Sequence, residues 1–204
     1  MSVGQVPYPL SFKGELSEPL SRWLWLVKWF LLIPHCIVLA FLWIAFMVVC
    51  IISFFGILFT ARYPKSLFNF NTGVLRWTWR VGFYSYAALG TDKYPPFSLK
   101  PDDDYPADLS IEYPQRLSRG LVLVKWWLLA IPHYIVVSFF QGGGEGGGGL
   151  VSILAIFAAI ALLFTGKYPK SIFDFVMRMN RWTYRVVVYV SLMTDHYPPF
   201  SLEE

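Results

Sequence analysis

The chain has 204 residues and a formal net charge of +4, a length that suits one domain and a charge too small to imply a nucleic-acid partner. Apolar residues make up 56% and charged residues only 15%, against about 25% charged in an ordinary soluble domain, so the composition argues for a membrane protein. The aromatic content of 19% suits aromatic belts at two membrane interfaces.

From the N-terminus, Tyr8–Lys13 alternates polar and apolar residues as a half-buried strand does. No basic segment, short apolar core and cleavage site precede it, so the first span is expected to direct insertion itself. An apolar run follows from Trp23 to Ala61, interrupted only by Lys28 and His35. As one helix it would reach nearly 60 Å, about twice the membrane thickness. Cys36 and Cys50 lie inside it without a CxxC spacing, which reads as buried thiols and no metal site.

The remainder of the chain repeats this layout. Leu20-Ser-Arg and Leu-Val-Lys-Trp29 recur as Leu117-Ser-Arg and Leu-Val-Lys-Trp126, and Ile33-Pro-His35 recurs as Ile131-Pro-His133. Tyr63-Pro-Lys-Ser66 recurs at Tyr168–Ser171, Arg76-Trp-Thr-Trp-Arg80 as Arg181-Trp-Thr-Tyr-Arg185, and Thr91-Asp-Lys-Tyr-Pro-Pro-Phe-Ser-Leu99 at Thr194–Leu202. The duplication divides the chain into unit one, residues 1–100, and unit two, residues 101–204. In unit two the apolar runs Leu121–Phe140 and Leu150–Gly166 are separated by Gln141-Gly-Gly-Gly-Glu145-Gly-Gly-Gly-Gly149, too glycine-rich to hold a helix. That predicts a helical hairpin with a water-exposed tip, with spans at about 117–140 and 150–166. By analogy, unit one is expected to turn near Phe41–Ala45 into spans at about 20–41 and 45–61, a long tilted helix being the rival.

All 17 Lys and Arg lie before Trp29, between Arg62 and Lys125, or after Gly166. The positive-inside rule then places both termini and the middle segment in the cytoplasm and makes the copies parallel. Lys28 and Lys125 are expected to snorkel back to the headgroups. After each hairpin a third segment, 66–89 and 171–193, carries Arg76 and Arg80 or Arg181 and Arg185 on one helix face. It is expected to lie along the cytoplasmic leaflet, with a third span as the alternative. Asp108–Tyr113 alternates as Tyr8–Lys13 does, predicting a small cytoplasmic β layer.

Few residues point to chemistry. His35 and His133 each follow a proline in a predicted span, and an intramembrane ionisable residue is a candidate site. Two matched histidines could ligate haem b or line a polar site between helices, or each could simply bond nearby backbone freed by the proline. The four arginines could contact anionic lipid or an acidic partner, or serve as ordinary anchors. Asp92 and Asp195 read as organisers of the turns before the prolines. No phosphate-binding glycine motif, Ser/His/Asp arrangement or HExxH is present.

The signatures Lys-Trp with Ile-Pro-His, Tyr-Pro-Lys-Ser, Arg-Trp-x-x-Arg and Thr-Asp-x-Tyr-Pro-Pro-Phe-Ser-Leu resemble those of the bacterial membrane proteins of domain-of-unknown-function family 4389, across both units. The resemblance implies a bacterial inner-membrane protein, often duplicated, and no activity. The expectation is therefore an all-α membrane protein of two tandem parallel repeats, each a transmembrane helical hairpin plus an amphipathic interfacial helix, with a small cytoplasmic β layer. Its expected role is non-catalytic, as an accessory or scaffolding subunit in contact with other membrane subunits or with itself, without cofactor. A small-molecule or lipid carrier or channel with a histidine site is the runner-up, and a haem-binding redox subunit a third reading.

Overall fold

No charged side chain interrupts Ile33–Thr60, and the computed structural model, which describes residues 8–142 and 148–202, makes it one helix. The elements in order are strand β1 (Leu10–Gly14), α1 (Lys28–Leu31), α2 (Ile33–Thr60), α3 (Lys65–Tyr84), strand β2 (Ala107–Ile111), α4 (Leu121–Val124), α5 (Ile131–Gln141), α6 (Leu150–Thr165) and α7 (Lys170–Val190). Leu24–Leu26 forms a 3₁₀ turn before α1, and Lys125–Leu129 forms a π turn after α4.

The 28 residues of α2 extend about 42 Å at 1.5 Å per residue, long and apolar enough to cross a membrane. The expected turn near Phe41–Ala45 is absent, which corrects the two-span reading of unit one. Nothing in that stretch breaks a helix; the turn rested on analogy with glycines that unit one lacks. The helix breaks earlier, at Leu32, where Pro34 opens α2 in the first turn and its missing N–H costs no helical bond. In unit two, Leu121–Leu129 and Ile131–Gln141 meet at a 46° bend at the matching place. The helix ends match as well, at Ala61 and Gly166, both left-handed with φ of 58° and 74°. Glycine takes that conformation without the Cβ penalty that Ala61 carries.

α2 buries a single stripe, His35, Leu39, Phe46, Ser53 and Ile57, against α3, which runs back along it. In unit two α5 and α6 together face α7 in the same way, with His133, Val151, Ala158 and Leu162 at the corresponding positions. The offset between copies is 98 at His35/His133 and 105 at Phe59/Phe164, so unit two carries seven additional residues in between. After them the buried stripe resumes in phase. Gly149 lies against the Gln141–Gly142 peptide so closely that a Cβ there would collide with the Gln141 backbone. The expected water-exposed hairpin tip, with Glu145, falls largely on residues 143–147, outside the described residues.

The third segments are helices over Lys65–Tyr84 and Lys170–Val190, but neither lies open on a surface. α3 packs on α2 through Trp77, Val81 and Tyr84 and on β2 from the other side, with Trp79, Arg80 and Phe83 fully buried. The expected amphipathic stripe is real; the ribbon covers its polar side at Arg76 and Arg80 of α3, and Arg185 of α7 is buried too, while Asp174, Arg178 and Arg181 of α7 stay at an open cleft.

β1 and β2 pair antiparallel, with Phe12 opposite Leu109, Leu10 opposite Ile111 and Gly14 opposite Ala107. In the repeat alignment Leu10, Phe12 and Gly14 correspond to Ala107, Leu109 and Ile111. Exchanging the units therefore maps the ladder onto itself, and a pseudo-two-fold passes between Phe12 and Leu109. The same exchange relates the bond from Tyr8 Oη to the Arg185 carbonyl (3.0 Å) and that from Tyr105 Oη to the Arg80 carbonyl (3.3 Å). Each unit's strand thus covers the other unit's long polar helix, and the two halves form one body.

Candidate functional site

The paired motifs of each unit meet each other. In unit one Thr91–Leu99 passes the helix break at Leu32 as a strap. The Asp92 carboxylate accepts from the Ser21 amide (2.5 Å) and pairs with Lys28 (3.0 Å). Lys28 also donates to the Thr91 carbonyl (2.6 Å) and lies over the Tyr84 ring, 4.5 Å from its centroid. Lys28 is 1% exposed, so pairing with the half-buried Asp92 replaces the expected snorkelling to headgroups. The Thr91 hydroxyl, accepting from the Lys93 amide (3.1 Å), organises the turn assigned to Asp92 from sequence.

Further along the strap, Tyr94 Oη donates to the Leu31 carbonyl (2.9 Å). That carbonyl borders the helix break, where a regular partner is missing. His35 is fully buried behind it. Its Nδ1 accepts from the Trp77 indole N–H (3.0 Å), and its ring stacks on Phe97 at 3.9 Å and 13°. An indole N–H can only donate, so this network assigns the imidazole proton to Nε2. Nε2 is buried and makes no well-aligned hydrogen bond.

Unit two repeats every contact. Asp195 accepts from the Ser118 amide (2.6 Å) and from Lys125 (2.8 Å), and Lys125 donates to the Thr194 carbonyl (2.9 Å). Tyr197 Oη donates to the Leu129 carbonyl (3.1 Å). His133 Nδ1 accepts from the Trp182 indole (3.2 Å), and its ring stacks on Phe200 at 4.2 Å and 11°. Each histidine is thus boxed by aromatic residues of its own unit. Haem ligation needs an imidazole nitrogen with its lone pair free. Here one nitrogen is engaged by tryptophan and the other carries the proton, so the arrangement does not fit that group.

The arginines do not form the open stripe expected of a lipid contact. Arg76 Nε and an Arg80 terminal nitrogen approach the same Asp108 carboxylate oxygen, at 3.0 and 3.1 Å. Arg76 also donates to the Leu99 carbonyl (2.9 Å) and Arg80 to the Lys100 carbonyl (3.0 Å). Arg80 is fully buried, held by a carboxylate from the other unit's strand. Helical periodicity placed these residues on one face without revealing that β2 covers it. In unit two Arg185 is buried, donates to the Ser201 carbonyl (3.4 Å) and lies over the Tyr8 ring. Arg181 lines an open cleft of 480 Å³ with Arg178 and Asp174. Ser11 stands in β1 where β2 has Asp108. Burial raises the phenol pKa of both Tyr8 and Tyr105, opposed by Arg185 beside the first and Arg80 beside the second.

Sequence reasoning singled out the histidines and missed their tryptophans and the Lys–Asp pairs. The signal was available, since Lys28, Asp92 and Trp77 all recur at matched places as Lys125, Asp195 and Trp182. Among the described residues no three His, Cys, Asp or Glu side chains gather where a metal ion could be held.

Comparison with known families finds a match at residues 22–98 and again at 122–201, to the model described as Domain of unknown function (DUF4389). No curated protein and no solved structure matches the chain.

Proposed function

This chain belongs to the DUF4389 family in both of its halves, and from that premise we propose that it is a non-catalytic scaffold integrated in the bacterial inner membrane, with its polar ribbon and both termini on the cytoplasmic side. The carrying observation is which groups face outward. The conspicuous polar side chains, His35, His133, Lys28, Lys125 and Arg80, are buried against partners in the chain. The outward groups of α2 are apolar, Phe41, Ile44, Val48, Phe55 and Phe59 among them. Only 17% of the most apolar stretch of α2 is buried, whereas the core helix of a soluble protein is mostly covered. Lipid is the solvent such a face calls for. Enclosed histidines also argue against a carrier with a polar midplane site, since a carried molecule needs groups it can reach.

Fractionation and native purification test this reading. The protein is expected to stay with membranes through an alkaline wash and, extracted in mild detergent at native abundance, to run with unrelated chains in constant ratio. Recovery as a lone chain or homo-oligomer would favour the carrier, and recovery in the soluble fraction would remove the membrane role altogether.

A further inference from the structure

The pseudo-two-fold constrains how this protein meets a bilayer. α3 and α7 run antiparallel where they meet. Trp79 faces Tyr184 at 5.6 Å and Phe83 faces Phe173 at 6.1 Å, while Asn180 donates to the Ala87 carbonyl (2.8 Å) and Tyr168 to the Ala88 carbonyl (2.8 Å). A two-fold that exchanges antiparallel helices lies across them. α2 in turn runs antiparallel to α3, touching it from His35 at Trp77 to Cys50 at Asn71. The long helices therefore lie across the axis, while the ribbon sits on it.

The ribbon end of the axis is polar. Lys13, Glu15, Glu18, Asp102, Asp104 and Asp108 line a cleft of 610 Å³ beside the strands. An axis lying in the membrane plane would hold this rim at mid-bilayer, where ionised carboxylates are not tolerated unpaired. The axis must then follow the membrane normal, and the helices that lie across it must follow the membrane plane.

The ends of the apolar segments agree with that orientation. The Ala61 carbonyl, closing α2, accepts from the Leu117 amide that opens unit two (2.9 Å). Gly166, closing α6, lies against the Arg22 guanidinium that opens unit one. With the two-fold along the normal these junctions sit at equal depth, so the apolar run of unit one starts, at Arg22, and ends, at Ala61, at one level. Exposed Arg22, Arg62, Arg116, Arg119 and Lys167 cluster at these ends, the groups that headgroup phosphates attract.

Resting on the membrane reading above, we infer that the long apolar segments of both units lie in the plane of one leaflet, so that the protein is embedded from one side without crossing the bilayer. The acyl chains of that leaflet cover the outward face of α2, α5 and α6, and headgroup phosphates meet the cations at the helix ends. A helix about 10–12 Å across fits a leaflet with about 15 Å of hydrocarbon. Its backbone is satisfied internally, so it needs no polar partner there.

Single cysteines in the full chain, on a Cys36→Ser, Cys50→Ala background, test the inference with a membrane-impermeant maleimide applied to right-side-out and inverted vesicles. Arg22→Cys, Arg62→Cys, Arg119→Cys and Lys167→Cys are expected to react from the same side as the rim position Asp103→Cys, and Ile44→Cys from neither. Reaction of positions 22 and 62 from opposite sides would establish an upright α2, and reaction of position 44 from the far side a crossing hairpin. Either overturns the inference while leaving the membrane reading intact; release by the alkaline wash overturns both. Fluorophores at Phe41→Cys, Val48→Cys and Phe55→Cys supply a second measurement in vesicles carrying quenchers at shallow or deep acyl positions. Equal shallow-to-deep ratios are expected at all three. A steady change from 41 to 55 would show a tilted crossing, and no quenching at any would show that a second copy or another protein covers this face.

Discussion

Unit one carries its apolar stretch as an unbroken helix, Ile33–Thr60, while unit two divides the corresponding stretch between Ile131–Gln141 and Leu150–Thr165. Everything around the division is shared: the helix break before the Pro-His pair, the Trp-held imidazole, the Lys–Asp pair and the strap beneath. Helices packed side by side keep their axes about 8–10 Å apart, so the contact between Gly149 and the Gln141–Gly142 peptide is the meeting of two helix ends. Seven residues can thus enter the middle of an apolar helix without shifting the side chains on either side. What the insertion needs is a stripe that resumes in phase, and that phase is set by how the two ends meet rather than by how many residues lie between them. The two units also differ in the polarity of that stripe, and both differences can be tested by converting one unit into the other.

The largest expected effect tests what the units share. Asp92→Ala leaves the Lys28 ammonium buried with only the Thr91 carbonyl, and removing one partner of a buried pair costs about 3–5 kcal/mol. Asp195→Ala should cost the same within about 1 kcal/mol, because Lys125 is equally buried. Unfolding midpoints in mild detergent measure both. The double change Lys28→Met, Asp92→Leu should recover most of the loss. If the two single variants differ by much more than that, the straps are not equivalent and the pseudo-symmetry has been over-read.

Those pairs also mark the limit of what could be read without coordinates. The duplication and the membrane-like composition were legible because they need only residue identity and spacing. So was the small strand pair, within two residues of Leu10–Gly14 and Ala107–Ile111, because alternation is local. Asp108 lies far from Arg76 and Arg80 along the chain, and no periodicity within α3 names it as their partner. The predicted turn near Phe41–Ala45 failed for a different reason. A glycine run shows that a helix cannot continue through it, but says nothing about whether the helix resumes on the same line. The Pro-His motif marks the beginning of α2, where no periodicity of the surrounding apolar residues distinguishes a first turn from an interior one.

The next effect is smaller and acts on the division itself. Deleting residues 142–148 should join α5 to α6 as one helix like α2. Closing a loop of this length costs on the order of 1–2 kcal/mol in chain entropy, so the deletion variant should gain about that much stability, with more helix by circular dichroism. Loss of the fold would mean that α5 and α6 lie side by side as a hairpin, and unit two would then differ in architecture from unit one.

The smallest effect concerns polarity. Asn71 donates to Tyr63 Oη (2.9 Å) and approaches the Cys50 sulfur (3.4 Å), with Ser53 fully buried on the same stripe of α2. At the matching places unit two has Tyr168 unchanged but Ala155, Ala158 and Val176, so three polar groups are replaced together by apolar ones. Buried hydrogen-bonding groups are costly to remove singly and nearly neutral to remove as a set. Asn71→Val alone should cost about 1–3 kcal/mol, because it leaves the Tyr63 hydroxyl without its donor. The triple variant Cys50→Ala, Ser53→Ala, Asn71→Val, made together with Tyr63→Phe so that no hydroxyl is left orphaned, should return to within about 1 kcal/mol of the parent, its stripe now matching that of α6. Non-additivity of this sign, read from unfolding midpoints of the four proteins, would mark the polar group as a unit that either copy can carry or dispense with. A triple variant as unstable as the sum of its parts would instead show that unit one is built around those side chains, and that the two helices are less interchangeable than their shared straps suggest.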